Sequence, residues 1–264
     1  MLNTLAGIIA AGSGLPPTPT SPVAGYKLWL DAADTSTITA SGGAVSQWTD
    51  KSVNAYAFTQ ATSAYKPATG TDTQNGKNVL TWGTSDNLLG TSAASTWQFM
   101  NNNTGSTTFI AFKQTVAADS AGLLQTNGAT KNETGIYIWH QATSKLQHVI
   151  SRSVGGTAVA DNTTGANALN TSFNYVTVIG NPADATPANR SDIRVAQGSA
   201  IKNSTNIGAI NNVAPFESLR IGDYAAGGGL GLNGTLGEII IYDSVLSAGN
   251  ILLNQQYLAA KWGV

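Results

Sequence analysis

The side chains that could carry out acid–base chemistry are few and widely spaced in this sequence. A retaining glycosidase needs two carboxylates roughly 5 Å apart, which within one strand means residues two or four positions apart on the same face. The three glutamates, Glu133, Glu217 and Glu238, have no second carboxylate at those spacings. Asp243 follows Glu238 by five residues, so an extended strand places the two on opposite faces. The pattern predicts a protein that is not an enzyme.

The two histidines, His140 and His148, fall in adjacent predicted strands. If those strands form a hairpin, the two rings could lie near each other. Two histidines without a third ligand make a poor metal centre, so a hydrogen-bonded or exposed ring on a sheet is the favoured interpretation. The sequence contains no phosphate-binding loop, dinucleotide fingerprint or HExxH motif.

Calcium is a more plausible ligand of these side chains than a catalytic metal, because it prefers carboxylate, amide and backbone oxygens. The candidate ligands in predicted loops are Asp31, Asp34, Asp86 and Asp223, with Asp50 and Asn87 beside them. The alternative is that these residues accept hydrogen bonds from backbone N–H groups in turns. No dense Asp-x-Asp loop is present, which favours turn capping over a metal site.

Sugar binding would use exposed aromatic rings beside amide and carboxylate groups. Four aromatic residues fall near predicted turns or rims and are the candidate ligand-binding residues: Trp97, Trp139, Tyr65 and Tyr224. The other four tryptophans lie within predicted strands or the C-terminal helix, and we expect them in the core.

Short segments rich in β-branched and aromatic residues recur along the chain, separated by Gly, Asn, Asp and Ser. The predicted strands are Tyr26–Leu30, Val45–Trp48, Ala55–Gln60, Asn78–Trp82, Thr107–Gln114, Ala121–Gln125, Gly135–His140, Lys145–Ser151, Phe173–Gly180, Ser191–Gln197, Glu217–Gly222 and Glu238–Asp243. Phe173, Tyr175 (or Val176) and Val178 form one candidate face, and the last strand is expected to be buried on both faces. A helix is predicted over Ala248–Lys261, capped by Ser247 and ended by Gly263. This rhythm predicts an all-β sandwich or jelly roll.

The composition limits the classes of partner. Charged residues make up only 10% of the 264 residues and the net charge is −1, against a typical charged fraction of about 25%, which argues against nucleic acid or an anionic membrane as partner. There is no Cys, so there are no disulfides or thiolate metal sites. No apolar run approaches the roughly 20 residues that cross a bilayer.

The chain divides into an apolar N-terminal segment, a spacer and a body, at residues 1–14, 15–22 and 23–264. Four prolines in the spacer favour an extended, polyproline-like conformation. The first segment is too short for a helix that is stable alone, so we expect it to dock on another surface as an anchor. Its anchor residues are Leu2, Leu5, Ile8 and Ile9.

Both ends of the body resemble a known family. LWLDAADTSTIT at 28–39, VSQWTDKSVNAYAFTQATSAYKP at 45–67 and LNGTLGEIIIYDSVLSAGNILLNQQYLAAKWG at 232–263 resemble bacterial and phage concanavalin A-like or laminin-G-like lectin domains. The resemblance implies a two-sheet antiparallel jelly roll that binds glycans or other surface ligands, with calcium at a loop rim in many members.

The combination of anchor, spacer, lectin-like body and neutral, Thr- and Asn-rich composition is typical of a phage virion accessory protein, such as a capsid decoration, head fibre or tail fibre. On this hypothesis the protein lies on the virion surface as a homo-oligomer, with a trimer favoured. Its N-terminal segment binds other virion proteins and its body attaches to a host-surface glycan. The alternative is a secreted bacterial carbohydrate-binding module that binds glycans as a monomer.

Overall fold

The computed structural model describes residues 18–102, 104–115, 120–128, 133–151, 160–202, 204, 212–222 and 229–264. The predicted anchor residues Leu2, Leu5, Ile8 and Ile9 and the first part of the spacer lie outside the described residues. No helix in the described ranges is long and apolar enough to cross a membrane.

The described residues form antiparallel strands and a C-terminal α-helix, α1 (Ala248–Trp262), which confirms the predicted mostly-β body with a terminal helix. Short 3-10 helices cover Thr35–Thr37, Ser63–Tyr65, Ala94–Met100 and Pro187–Arg190. The strands are β1 (Leu28–Asp31), β2 (Ile38–Ser41), β3 (Ala44–Thr49), β4 (Ala57–Thr59), β5 (Ala68–Gln74), β6 (Lys77–Trp82), β7 (Asn87–Gly90), β8 (Ser106–Gln114), β9 (Ser120–Gln125), β10 (Gly135–Gln141), β11 (Lys145–Ser151), β12 (Ala160–Thr163), β13 (Asn174–Gly180), β14 (Ser191–Val195), β15 (Arg220–Gly222) and β16 (Gly234–Tyr242).

Backbone pairing joins these strands into one continuous sheet, rather than two separately bonded ones. Its order is β12-β11-β10-β9-β15-β7-β4-β3-β5-β6-β16-β8-β13-β14, with β1 paired to β16 and β2 to β3. The two ends of this path meet, because His148 Nδ1 on β11 lies 2.8 Å from Ser191 Oγ on β14. Asn162 on β12 also donates to the Ser191 carbonyl at 3.1 Å. The sheet therefore curls until it is nearly closed.

The curled sheet has one apolar core inside it and a second between its outer face and α1. On β13, Val176 and Val178 belong to the inner core, whereas Tyr175 packs in the outer one. Of the two predicted faces, the alternative that joins Val176 to Val178 is confirmed, whereas Phe173 and Tyr175 pack together in the outer core. Strand β16 is buried on both faces, as predicted.

Helix α1 covers the outer core with one face. The Ser247 side chain accepts a hydrogen bond from the Asn250 backbone N–H, and Gly263 ends the helix in a left-handed conformation with φ 70°. The Trp262 ring is fully buried against Gly237 of β16, where an added Cβ would lie 2.9 Å from the indole. A side chain at this position would therefore force the Trp262 ring or the helix to shift.

Candidate functional site

A charged cleft of about 490 Å³ lies between β1 and the end of α1. Leu28 and Leu30 of β1 point into the inner core, so the alternate residues Trp29 and Asp31 face the cleft. Its lining is Thr18, Pro19, Thr20, Trp29, Asp31, Lys51, Lys77, Tyr257, Ala260 and Lys261.

Two carboxylates meet beneath this cleft. Asp31 is the cross-strand partner of Glu238 in the β1–β16 pairing. Lys261 Nζ lies 2.6 Å from Asp31 Oδ1 and 2.9 Å from Glu238 Oε2. Spacing within a single strand could not reveal this pair, because the two residues belong to different strands.

A retaining glycosidase also uses two close carboxylates, but here both bind the Lys261 ammonium and one of them is enclosed. Glu238 is fully buried, and its oxygens accept hydrogen bonds from Trp29 Nε1 (2.6 Å), Tyr257 Oη (2.8 Å) and Trp262 Nε1 (2.8 Å). Burial raises the pKa of Glu238, while Lys261 opposes that rise. A carboxylate so enclosed cannot reach a glycosidic oxygen, and the arrangement fastens α1 to the sheet.

The predicted calcium ligands Asp31 and Asp34 come together, but around a lysine. Lys51 Nζ lies 3.1 Å from Asp31 and 2.9 Å from Asp34, and 4.2 Å from the centre of the Trp29 ring. The hydrogen bond from Ser36, and then the Lys51 ammonium, lower the pKa of Asp34. Ammonium groups thus occupy the positions that a cation would take.

The other two predicted calcium ligands do not extend this cluster. Asp86 accepts from the Gly83 backbone N–H at 2.6 Å in the turn before β7, as a turn-capping residue does. Asp223 lies outside the described residues. In the part of the chain that the structure describes, no three acidic or histidine side chains are grouped to hold a metal ion, and calcium binding stays a prediction.

The two histidines lie on the paired strands β10 and β11, as the hairpin prediction requires. Both rings are buried. Burial lowers the pKa of His148 to about 3, so this ring is neutral at pH 7 where it meets Ser191. His148 therefore contributes to closing the sheet rather than to a metal site.

The three predicted ligand-binding aromatics that lie in the described residues have different surroundings. Trp97 does not lie exposed at a rim, as a ring that contacts a sugar would: it is fully buried and packs on Tyr56, with centroids 5.2 Å apart. Trp139 is half-buried on β10, edge-on to Tyr137. Tyr224 lies outside the described residues. Tyr65 is half-buried and lines a polar groove.

This polar groove, of about 410 Å³, crosses the neighbouring strands β4, β7 and β15. Its lining is Thr59, Gln60, Thr62, Tyr65, Asn87, Leu89, Gly90, Thr91 and Arg220. Amide, hydroxyl and guanidinium groups dominate this set, beside one aromatic ring. Such a mixture can hydrogen-bond a polyhydroxylated ligand while offering it one apolar surface.

A chain of hydrogen bonds holds the polar groups of the groove in place. Asn87 Oδ1 accepts from Gln60 Nε2 at 2.9 Å and from Arg220 Nη1 at 3.1 Å. Gln60 Oε1 in turn accepts from the Thr62 backbone N–H at 2.9 Å, in the turn that leads to Tyr65. The groove is therefore organised before any ligand arrives.

Arg220 is also bound to an acidic neighbour. Its Nε and Nη2 donate to the two carboxylate oxygens of Glu217 at 3.0 and 2.8 Å. Sequence reasoning missed Gln60 and Arg220 as site residues and named Asn87 only for calcium. The signal that could have found Arg220 is a charged residue between Leu219 and Ile221 in a predicted strand.

Comparisons with known proteins give structural likeness without sequence likeness. No protein-family model and no curated protein sequence matches the chain. Trypanosoma rangeli sialidase in complex with sialic acid matches with a TM-score of 0.57 at 14% identity, over 91% of this chain and 34% of that chain. The same sialidase as its covalent intermediate with difluorosialic acid matches with a TM-score of 0.56 at 15% identity, over 90% and 34%. The CBM40 of Ruminococcus gnavus IT-sialidase, bound to α2,3-sialyllactose, matches with 0.43 at 16% identity, over 62% and 85%.

The chain spans about a third of the length of the sialidase chain that it matches. The likeness therefore defines the fold class: an antiparallel β protein that resembles part of a sialidase chain in architecture. At this level of identity the likeness establishes the fold and not the activity.

Proposed function

We propose that this protein is a non-catalytic carbohydrate-binding module whose sugar site is the polar groove. The observation that carries the proposal is the groove itself, where the half-buried Tyr65 ring borders amide and hydroxyl groups that are already hydrogen-bonded in place. We further propose that the curled sheet is a two-layer jelly roll of the concanavalin A type, since the inner core lies between its facing parts.

The chemistry of a sugar fits these groups. A pyranose has a C–H face that packs on an aromatic ring, and hydroxyls that both donate and accept hydrogen bonds. Gln60, Arg220 and the threonine hydroxyls can serve those hydroxyls from fixed positions. Groups that are already positioned lose little conformational entropy on binding, which favours affinity.

A glycan array followed by calorimetric titration with the best-binding glycan tests this proposal. We expect Tyr65→Ala to weaken binding by about tenfold or more, because it removes the aromatic contact of the sugar ring. Gln60→Ala should weaken it as well, because it breaks the hydrogen-bond chain through Asn87.

Phe216→Ala is the matched control, because Phe216 is 59% exposed and does not line the groove. It should leave the affinity unchanged. If Tyr65→Ala binds as the parent does while Trp139→Ala loses binding, the sugar site is on β10 and the groove assignment is refuted.

Where the module acts is a separate proposal that rests on the sequence alone. The apolar residues 1–14 and the proline spacer support attachment to a phage particle as an oligomer, and secretion is the alternative. Deleting residues 1–22 should leave the body folded but strip it from particles. Particles that retain the truncated chain would refute the anchor, and the solution mass of the full chain tests for the trimer.

A further inference from the structure

The geometry points to a preference of the groove for neutral sugars over sugars that carry a carboxylate, an inference that rests on the proposed function of the groove. The feature behind it is the ion pair that Arg220, which lines the groove, forms with its neighbour Glu217. Free arginine guanidinium groups are well suited to bind carboxylates through two parallel hydrogen bonds. Here a carboxylate of the protein already occupies that edge.

The pairing uses the edge of the guanidinium that an acidic ligand would need. Arg220 Nε and Nη2 both donate to Glu217, and Nη1 donates to Asn87. Glu217 is itself held from a second direction, since Gln125 Nε2 lies 3.3 Å from its Oε1. Displacing Glu217 would therefore break several hydrogen bonds at once.

The pair is shielded from water, so its charges act strongly on each other and on a ligand. The Arg220 side chain is 11% exposed and that of Glu217 is 19% exposed. Screening by water and salt is weak for groups this buried. A ligand carboxylate beside Arg220 would thus also meet the nearby negative charge of Glu217.

Among the described lining residues, no second charged side chain compensates for that repulsion. Among the described residues that line the groove, Arg220 is the one with a charged side chain. With Glu217 it forms a neutral unit, and the remaining lining groups are amides, hydroxyls, an aromatic ring and apolar atoms. The N–H groups of Arg220 and the Asn87 and Gln60 amides suit sugar hydroxyls, which carry no net charge.

A preference for neutral sugars would distinguish this chain from the sialidases that it resembles in fold. The sialidase structures that it matches hold sialic acid or a derivative, which are acidic sugars. A likeness of fold at 14–15% identity leaves the ligand open. In this chain the local feature that favours a neutral ligand is the pairing of Arg220 with Glu217.

The experiment compares matched oligosaccharides that differ by one acidic sugar or carboxylate: lactose with 3′-sialyllactose, and neutral disaccharides with their uronic acid forms. In whichever pair the full chain binds better, we expect it to bind the neutral member at least about tenfold more tightly than the acidic member. The reason is that the ligand carboxylate and Glu217 repel each other. The affinity for the neutral member should not change between low and high salt.

Glu217→Gln removes the negative charge and keeps the shape of the side chain. It should lower the ratio of neutral to acidic affinity by about tenfold. The affinity gained for the acidic member should fall as salt is added. The double variant Glu217→Gln with Arg220→Gln is the control, because it removes both charges and should gain no salt-dependent affinity for the acidic member. The comparison on the parent protein stands even if neither variant folds.

The outcomes separate the inference from the function on which it rests. Tighter binding of the acidic member by the parent protein, at a site lost in Tyr65→Ala, overturns the inference and leaves the sugar-binding function intact. A folded protein that binds no member of a broad array overturns the proposed function, and the inference with it.

Discussion

Replacing Lys261 by Met should destabilise the protein by about 3 kcal/mol at pH 7, because it removes the cation that joins two buried carboxylates. Lys261 Nζ lies 2.6 Å from Asp31 and 2.9 Å from Glu238. The three side chains are 11%, 6% and 0% exposed, so water screens little of the interaction. Met keeps most of the length and apolar volume of the lysine side chain, and the change therefore tests the charge.

The magnitude follows from what each carboxylate keeps after the substitution. Removing one partner of a buried ion pair costs about 3–5 kcal/mol. Asp31 still has Lys51 at 3.1 Å, and Glu238 still accepts hydrogen bonds from Trp29, Tyr257 and Trp262. These contacts favour the lower end of the range.

Urea unfolding at pH 7 and at pH 5 measures the effect and its sign with pH. Burial already raises the pKa of Glu238 above its ordinary value of 4.5, and Lys261 opposes that rise. Without Lys261 the pKa rises further, so the folded state binds a proton that the unfolded state has released. The stability of Lys261→Met therefore falls as pH rises from the pKa of Glu238 in the unfolded state to its higher pKa in the folded state. The difference from the parent should be smaller at pH 5 than at pH 7.

Lys77→Met is the matched control, because Lys77 lines the same cleft and belongs to none of the ion pairs of the described residues. It should change the free energy of unfolding by less than about 0.5 kcal/mol. The reasoning is refuted if Lys261→Met costs no more than this control, or if its cost is the same at both pH values.

Two further substitutions test the packing and titration of the body. Gly237→Ala should lower the free energy of unfolding by about 1–3 kcal/mol, because the new methyl would lie 2.9 Å from the Trp262 ring. The control is Gly249→Ala, which faces open space in α1 and should be neutral or slightly stabilising. Equal losses of stability in the two variants would contradict the packing argument. The buried His148 has its pKa lowered from 6.5 to about 3, so the unfolded state gains a proton first on acidification and stability falls with pH in that window. His148→Gln should remove up to about 1.4 kcal/mol per pH unit from this slope between pH 6 and 4, and an unchanged slope would show that His148 does not titrate on unfolding.

The elements that the sequence predicted well are those whose pattern is strong locally. Strands β8, β10 and β16 are dense in β-branched and aromatic residues, and α1 has a capping Ser and a terminal Gly, so its predicted and observed ends differ by one residue. Strands β5 (ATGTDTQ) and β12 (ADNT) escaped prediction because their residues are polar or small. Long-range pairing, not local preference, makes them strands.

The candidate site was harder to predict, for a related reason. Tyr65 could be found because an aromatic residue beside a turn is a local feature. Gln60, Asn87 and Arg220 meet only because β4, β7 and β15 are neighbours in the sheet, and no local pattern encodes that order. Trp97 misled because polar neighbours suggest a surface loop, whereas a 3-10 helix turns the ring inward.

The ion pairs that Lys261 of α1 forms with Asp31 and Glu238 affect how the protein folds during synthesis. Asp31 and its partner Lys261 are separated by 230 residues along the chain. During translation the outward face of β1 therefore stays uncovered until α1 has left the ribosome. A chain released early would carry a half-built carboxylate cluster and an unclad outer sheet face. A chain that lacks α1 would therefore expose apolar sheet surface, which makes it more susceptible to proteolysis.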